Sequence, residues 1–265
     1  MRVLVHADDL GLSPAVNEAI GRSCRAGWVQ SVSALATGPA FAHAAAGSLP
    51  ADADVGVHLD LTEFASLTGV AALEDLRGLA AKGGAPLLTA LDRLGSKSPS
   101  VVESEWAAQI EAVRAWWTVS HLDSHQHIHW RPALWPPLRN VMRRMGVRAV
   151  RGVAPWRPEA DAAARALQRG RAARFRAAFR DWVTTDAVAN PAAFRWLLAN
   201  PRRQPPVVEL IVHPGNPAHP HYEADMHWLV EACGVLQARH RPVSWRELVG
   251  DSKDRMHKTN GHPSP

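Results

Sequence analysis

The stretch HLDSHQHIH, residues 121–129, sets His121, His125, His127 and His129 around Asp123 in nine positions. Their near two-residue spacing poses a choice between a strand that aims one face at a metal ion and a histidine-rich turn. Similar groups recur at a distance. Asp8 and Asp9 follow the apolar run RVLVHAD, His58 lies in DVGVHLDLTE, and His213 closes VELIVHPG. Each has a plain explanation when taken alone: His58 as a hydrogen-bonded core histidine, the aspartate pair as a cap for the next helix. Together they strain that explanation, because burying an unpaired carboxylate or imidazole costs on the order of a few kcal/mol.

Two imidazoles and one carboxylate suit a divalent ion with positions left open for water and substrate. Such an ion makes water acidic enough to supply hydroxide near neutral pH. A second carboxylate beside it can serve as general base, and a histidine across the pocket as general acid. That equipment suits hydrolysis of an amide or ester. No G-x-S-x-G, phosphate-cradling G-x-x-x-x-G-K-[ST], dinucleotide fingerprint or H-E-x-x-H occurs to suggest another chemistry.

The elements that must position these groups alternate between strand and helix. RVLVHAD (2–8) reads as a buried strand, followed by a helix with Ser13 as N-cap, Pro14 at its first position and Gly27 closing it. Further strands are expected at 31–38 and 54–63, the latter with His58 and Asp60 on one face, then in VSHLDSHQHIH, at 147–153 and at 206–216. Helices are expected at PAFAHAAAGSL, 100–117, before Gly146, across the arginine-rich stretch, and at 191–200 and 223–240. Residues 64–99 show no clear period and read as an excursion or lid. The alternation implies an α/β fold with a parallel sheet, doubly wound or closed as a barrel, in one domain over 1–250 with a polar tail at 251–265. Such folds place sites at the carboxyl ends of strands, where the Asp and His residues fall.

Composition narrows the setting. The 265 residues are 46% hydrophobic and contain only two cysteines, Cys24 and Cys233, which fits a reducing, cytoplasmic environment. No apolar run is long enough to span a membrane, so no stable membrane insertion is expected. The net charge of +5 is concentrated in Arg165, Arg169, Arg171, Arg174, Arg176 and Arg180. A solvated helix face is the simpler account; an anionic partner is the sharper one, and no nucleic-acid-binding motif accompanies the stretch. Trp116, Trp117, Trp130 and Trp135 flank the histidine segment, as core residues or as a sugar-stacking platform.

The stretches HADDLGLSPAVNEAI, VGVHLDLTE, SHLDSHQHIH and VELIVHPGNP, followed by VSWREL, resemble in order the motifs of the YdjC-like carbohydrate deacetylases. The resemblance implies a distorted (β/α) barrel, TIM-barrel-like, holding one divalent ion, zinc by donor chemistry or magnesium. It assigns Asp9, His58 and His125 as metal ligands, Asp8 as general base and His213 as general acid. Asp123, His127 and Glu209 fall at motif positions as supporting or substrate-contacting groups. His6 stands where the family usually has asparagine, placed to perturb the base or to bind substrate. The implied activity is removal of an N-acetyl group from an amino sugar or its conjugate, with a homo-oligomer allowed for. Alternatives are a metal-dependent sugar-phosphate isomerase or phosphoesterase, or a non-catalytic sugar-binding protein.

Overall fold

The computed structural model describes residues 1–80, 84–153, 161–217, 240 and 242–259. One parallel sheet contains β1 (Arg2–Leu10), β2 (Ser31–Ala34), β3 (Asp54–Leu59), β4 (Val119–Ser124), β5 (Ala149–Val150), β6 (Val183–Thr184), β7 (Ala187–Ala189) and β8 (Val207–Val212). These eight strands run in the order β6-β5-β4-β3-β2-β1-β8-β7. The two outermost strands are separated in the chain only by Thr185 and Asp186. A kinked stretch, 183–189, thus pairs with β5 at its start and β8 at its end. The sheet curls into a distorted (β/α) barrel.

Alternation along the strands makes two interiors. Val3, Val5 and Ala7 of β1, with Val55, Val57 and Leu59 of β3, Leu122, Val150 and Val208, join the helices in the main core. The intervening residues face into the barrel. At its lower end Leu4 and Ala149 pack with Trp245 and Leu248. Above this apolar plug the lining becomes polar: His6, Asp8, Ser33, His58, His121, Asp123, Arg151 and Glu209 are all buried. Gly56 makes room for this arrangement, because a Cβ there would come 2.3 Å from the His121 ring.

The covering helices are α1 (Pro14–Arg25), α2 (Phe41–Ala45), α3 (Ala71–Ala80), α4 (Gly84–Lys97), α5 (Pro99–Arg114), α6 (Trp135–Met145), α7 (Ala162–Ala178), α8 (Pro191–Ala199) and α9 (Trp245–Thr259). Ser13 caps α1 by accepting from Val16 N, and Gly146 ends α6 at a φ of 65°. The arginines of α7 and Arg180 are exposed, while Ala172 and Phe175 are buried, as a solvated helix face requires.

Four expectations need correction. Residues 64–99 are not an irregular excursion: they contain α3 and α4, whose Leu73, Leu76, Leu87, Leu91 and Leu94 belong to the main core. Glycines and alanines had masked that leucine spacing. The third strand stops at Leu59, so Asp60 starts a loop instead of continuing the His58 face. The stretch 147–153 keeps only two residues in regular pairing, and β6 and β7 were too short to be seen by periodicity. At the carboxyl end, α9 runs past residue 250 to Thr259. The helix expected over 223–240 lies almost wholly outside the described residues. Among the described residues, no helix is long and apolar enough to cross a membrane.

Candidate active site

Asp8 and Asp9 are adjacent, so a regular strand would send their side chains to opposite faces. A bulge prevents this. Strand β1 pairs Ala7 with Val32 but Leu10 with Ala34, three steps against two. Asp9 adopts a φ of 71°, a left-handed conformation that costs a non-glycine residue on the order of 1–3 kcal/mol. Both carboxylates end up buried at the carboxyl mouth of the barrel, and Leu10 returns to the main core.

Asp9 Oδ1 lies 3.4 Å from His58 Nε2 and 3.3 Å from His125 Nδ1. Its other oxygen accepts from Asn216 Nδ2 at 3.3 Å. His58 comes from β3, and its Nδ1 meets Asp123 Oδ1 at 2.8 Å and Ser33 Oγ at 3.1 Å. His125 is the first residue beyond β4, where Gln126 and His127 take left-handed φ values of 52° and 54° and bend the chain sharply. The donor atoms of Asp9, His58 and His125 lie within 4.8 Å of one another. One hard oxygen and two imidazole nitrogens converging at that spacing fit a divalent cation. Without one, the three groups share protons. Burial opposes charge on His125, but hydrogen bonds to Asp9 and Glu63 prevail and push it up to about 9. Burial likewise opposes charge on His58, yet Asp123 and Asp8 raise it well above its ordinary value. Burial would raise Asp9, but its bonds to His125 and His58 hold it well below the carboxylate range.

Behind these donors sits Arg151, fully buried at the end of β5. Its Nη1 donates to Asp8 Oδ2 at 3.0 Å and its Nη2 to Asp8 Oδ1 at 2.6 Å. Nη2 also lies 2.6 Å from Asp123 Oδ2, and Nε donates to Glu209 Oε1 at 2.9 Å. Burial pulls against ionisation of Asp8, but the Arg151 charge outweighs it and keeps the carboxyl well below its usual range. Glu209 behaves differently: burial prevails over Arg151 and raises it. Thr185, at the kink between β6 and β7, donates to Glu209 Oε2 at 3.1 Å and ties the barrel closure to this cluster.

The remaining expected residues divide clearly. His213 Nε2 lies 3.9 Å from Asp8 Oδ2 at the mouth. His6 is fully buried, with Nε2 3.1 Å from Ser33 Oγ, 3.3 Å from Asp123 and 3.4 Å from Asp8. It therefore supports the carboxylates from inside the barrel. His127 stacks on Trp130 with centroids 4.2 Å apart; burial and the Arg151 charge lower it to about 3, so it stays neutral. His121 faces the barrel floor and stacks on Trp245. His129 is buried against Ser124. The four tryptophans form no common platform. Trp116 and Trp117 precede β4, at the opposite end of the strand from the mouth, and Trp135 packs on Phe175 and Phe179.

Two residues were missed from the sequence. Arg151 stands at the end of an expected strand, the same positional signal that marks the histidines, but one arginine in an arginine-rich chain is not distinctive. Glu63 falls at the end of an expected strand, with no signal of its own. Its Oε2 lies 2.6 Å from His125 Nε2.

Fold and site together define a parallel α/β barrel whose carboxyl mouth gathers imidazole and carboxylate donors over a buried arginine. The chain belongs to the YdjC-like protein family, whose model matches residues 2–242. It is similar to proteins named carbohydrate deacetylase from Vibrio cholerae, 34% identical over 153 residues, and Oceanobacillus iheyensis, 36% identical over 149 residues. These matches cover 56% and 55% of this chain and 57% and 60% of those proteins, less than two thirds of their length. A crystal structure from Enterococcus faecalis, provisionally described as a cellobiose-phosphate cleavage protein, superposes with a TM-score of 0.65. It covers 93% of this chain and 98% of its own at 19% identity, a likeness of fold.

Proposed function

We propose that the protein is a metal-dependent hydrolase that removes the N-acetyl group from an N-acetylated amino sugar or its conjugate. The observation that carries this reading is the convergence of Asp9, His58 and His125 beside a separately held Asp8 and His213. Asp9, His58 and His125 would hold the ion, and zinc is the metal we assign on the two-imidazole, one-carboxylate donor set. When bound, the ion supplies Lewis acidity to the acetyl carbonyl and acidifies water.

The chain's own groups divide the proton work. Asp8 stays ionised because Arg151 grips both its oxygens, so it can accept a proton from the attacking water. Oδ2 of Asp8 also faces His213. His213, at the mouth and only half-buried, donates a proton to the departing amine. Asp8 Oδ2 and His213 Nε2 stand 3.9 Å apart, so a closer approach or one bridging water would pass the proton from Asp8 to His213 and reset the pair. The names of the deacetylase relatives support the N-acetyl sugar as substrate class.

The test is acetate release from N-acetylglucosamine oligosaccharides by zinc-loaded protein, beside Asp8→Asn and His213→Ala. Each substitution is expected to lower kcat by about 10²–10⁴ with the zinc content unchanged. Full activity in either variant would overturn its assigned role. Absence of acetate release by the loaded wild type across N-acetylated sugars would overturn the reaction class.

A further inference from the structure

We infer that Glu63 is a positioning residue that fixes His125 so that its Nδ1, not its Nε2, is presented to the cation. This rests on the metal reading above and extends it to the outer partner of one ligand. An imidazole offers two nitrogens, and the one that ligates is set by what the other bonds. In His125, Nδ1 turns inward to Asp9 at 3.3 Å and Nε2 outward to Glu63 Oε2 at 2.6 Å. The carboxylate only accepts, so it selects the form with the proton on Nε2 and the lone pair on Nδ1. Asp123 holds His58 in the mirror sense, through Nδ1, leaving Nε2 for the cavity.

The two clamps differ in where they stand. Asp123 is fully buried, whereas the Glu63 side chain is 45% exposed. An exposed carboxylate holds a fixed position only if its backbone is pinned, and this loop is pinned unusually well. Asp60 accepts at Oδ1 from Thr62 N (2.7 Å) and Glu63 N (3.1 Å), and at Oδ2 from Phe64 N (3.0 Å). From α5, Gln109 Oε1 accepts from Asp60 N at 2.9 Å while its Nε2 donates to Asp60 O at 2.7 Å. One turn away Glu105 accepts from Leu67 N and Thr68 N, each at 3.0 Å. Asp60, Glu105 and Gln109 are all buried. Buried polar side chains are costly unless hydrogen-bonded, and these three direct their bonds to the backbone of one loop. Here they share one product, a rigid loop that brings Glu63 to His125.

The test is zinc affinity, measured by chelator competition on full-length wild type, Glu63→Gln and Glu63→Ala, with kcat/KM for N-acetyl sugar hydrolysis at saturating zinc. Glu63→Ala is expected to weaken zinc binding about 10–100-fold, with the metal-free protein still folded. Glu63→Gln keeps an acceptor oxygen and should recover part of that loss. In the zinc-loaded wild type, ¹⁵N spectra should show His125 ligated through Nδ1 and protonated at Nε2. Equal affinity in wild type and Glu63→Ala, or ligation through Nε2, would overturn this inference alone. A fall in kcat/KM at unchanged affinity would assign Glu63 to substrate and overturn it equally. Failure of the wild type to take up zinc would bring down the metal reading itself.

Discussion

Asp123 stands between two charge clusters that solve one problem differently. Its Oδ1 meets His58, on the side open to the mouth; its Oδ2 meets Arg151, on the closed side. The closed side carries its own cation, a guanidinium shared by Asp8, Asp123 and Glu209 and shut away from water. On the open side Asp9, His58 and His125 present a carboxylate and two imidazoles, whose positive charge rests on protons that a bound cation would displace. Charge supplied by the sequence builds structure, because it cannot leave. Charge borrowed from solution can be exchanged, and that is what a site handling water and substrate requires.

The largest effect is expected from removing the arginine. Arg151→Met leaves three buried carboxyl groups without their counter-charge, and the loss is expected to reach about 3–5 kcal/mol, seen as a lowered Tm or a failure to fold. Removing the open side's carboxylate should do the reverse. Asp9→Ala is expected to keep the fold, with the left-handed φ of 71° still imposed by the bulge; its zinc uptake should fall below detection in equilibrium dialysis.

Protonation sharpens the contrast further. In the metal-free protein His125 is raised from 6.5 to about 9. The stabilisation it gives is complete below pH 6.5 and is lost as pH rises through 9. Thermal melts of metal-free protein should fall across that window, whereas zinc-loaded protein should not follow it. Zinc binding must displace the proton, so calorimetry near pH 7 in buffers of different ionisation enthalpy should register proton release, and affinity should rise with pH up to about 9. The smallest effect is expected from Trp116→Ala. That residue is exposed at the far end of β4, and kcat/KM should stay within about twofold of wild type.

Much of this site was legible because its chemistry sits at strand ends. Asp8, Asp9, His58, His125 and His213 each close or follow an apolar run, and parallel strands bring such ends together. Less legible was anything that depends on departure from regular periodicity. The bulge that turns Asp8 and Asp9 the same way is one residue of extra chain with no marker such as glycine. The leucines of α3 and α4 were hidden among alanines and glycines. Glu63 reads as a surface residue until the loop from Asp60 is seen tied to Gln109 and Glu105. Arg151 needed three carboxylates from three other strands to acquire meaning, and no local pattern joins them.

The most direct test of the division between borrowed and built-in charge is anomalous diffraction at the zinc edge from crystals of the zinc-loaded protein. A single peak bonded to Asp9, His58 and His125, with Arg151 still bridging Asp8, Asp123 and Glu209, is the predicted result. A peak instead among His6, His121 and Asp123, whose donor atoms are also within 4.8 Å of one another, would contradict it.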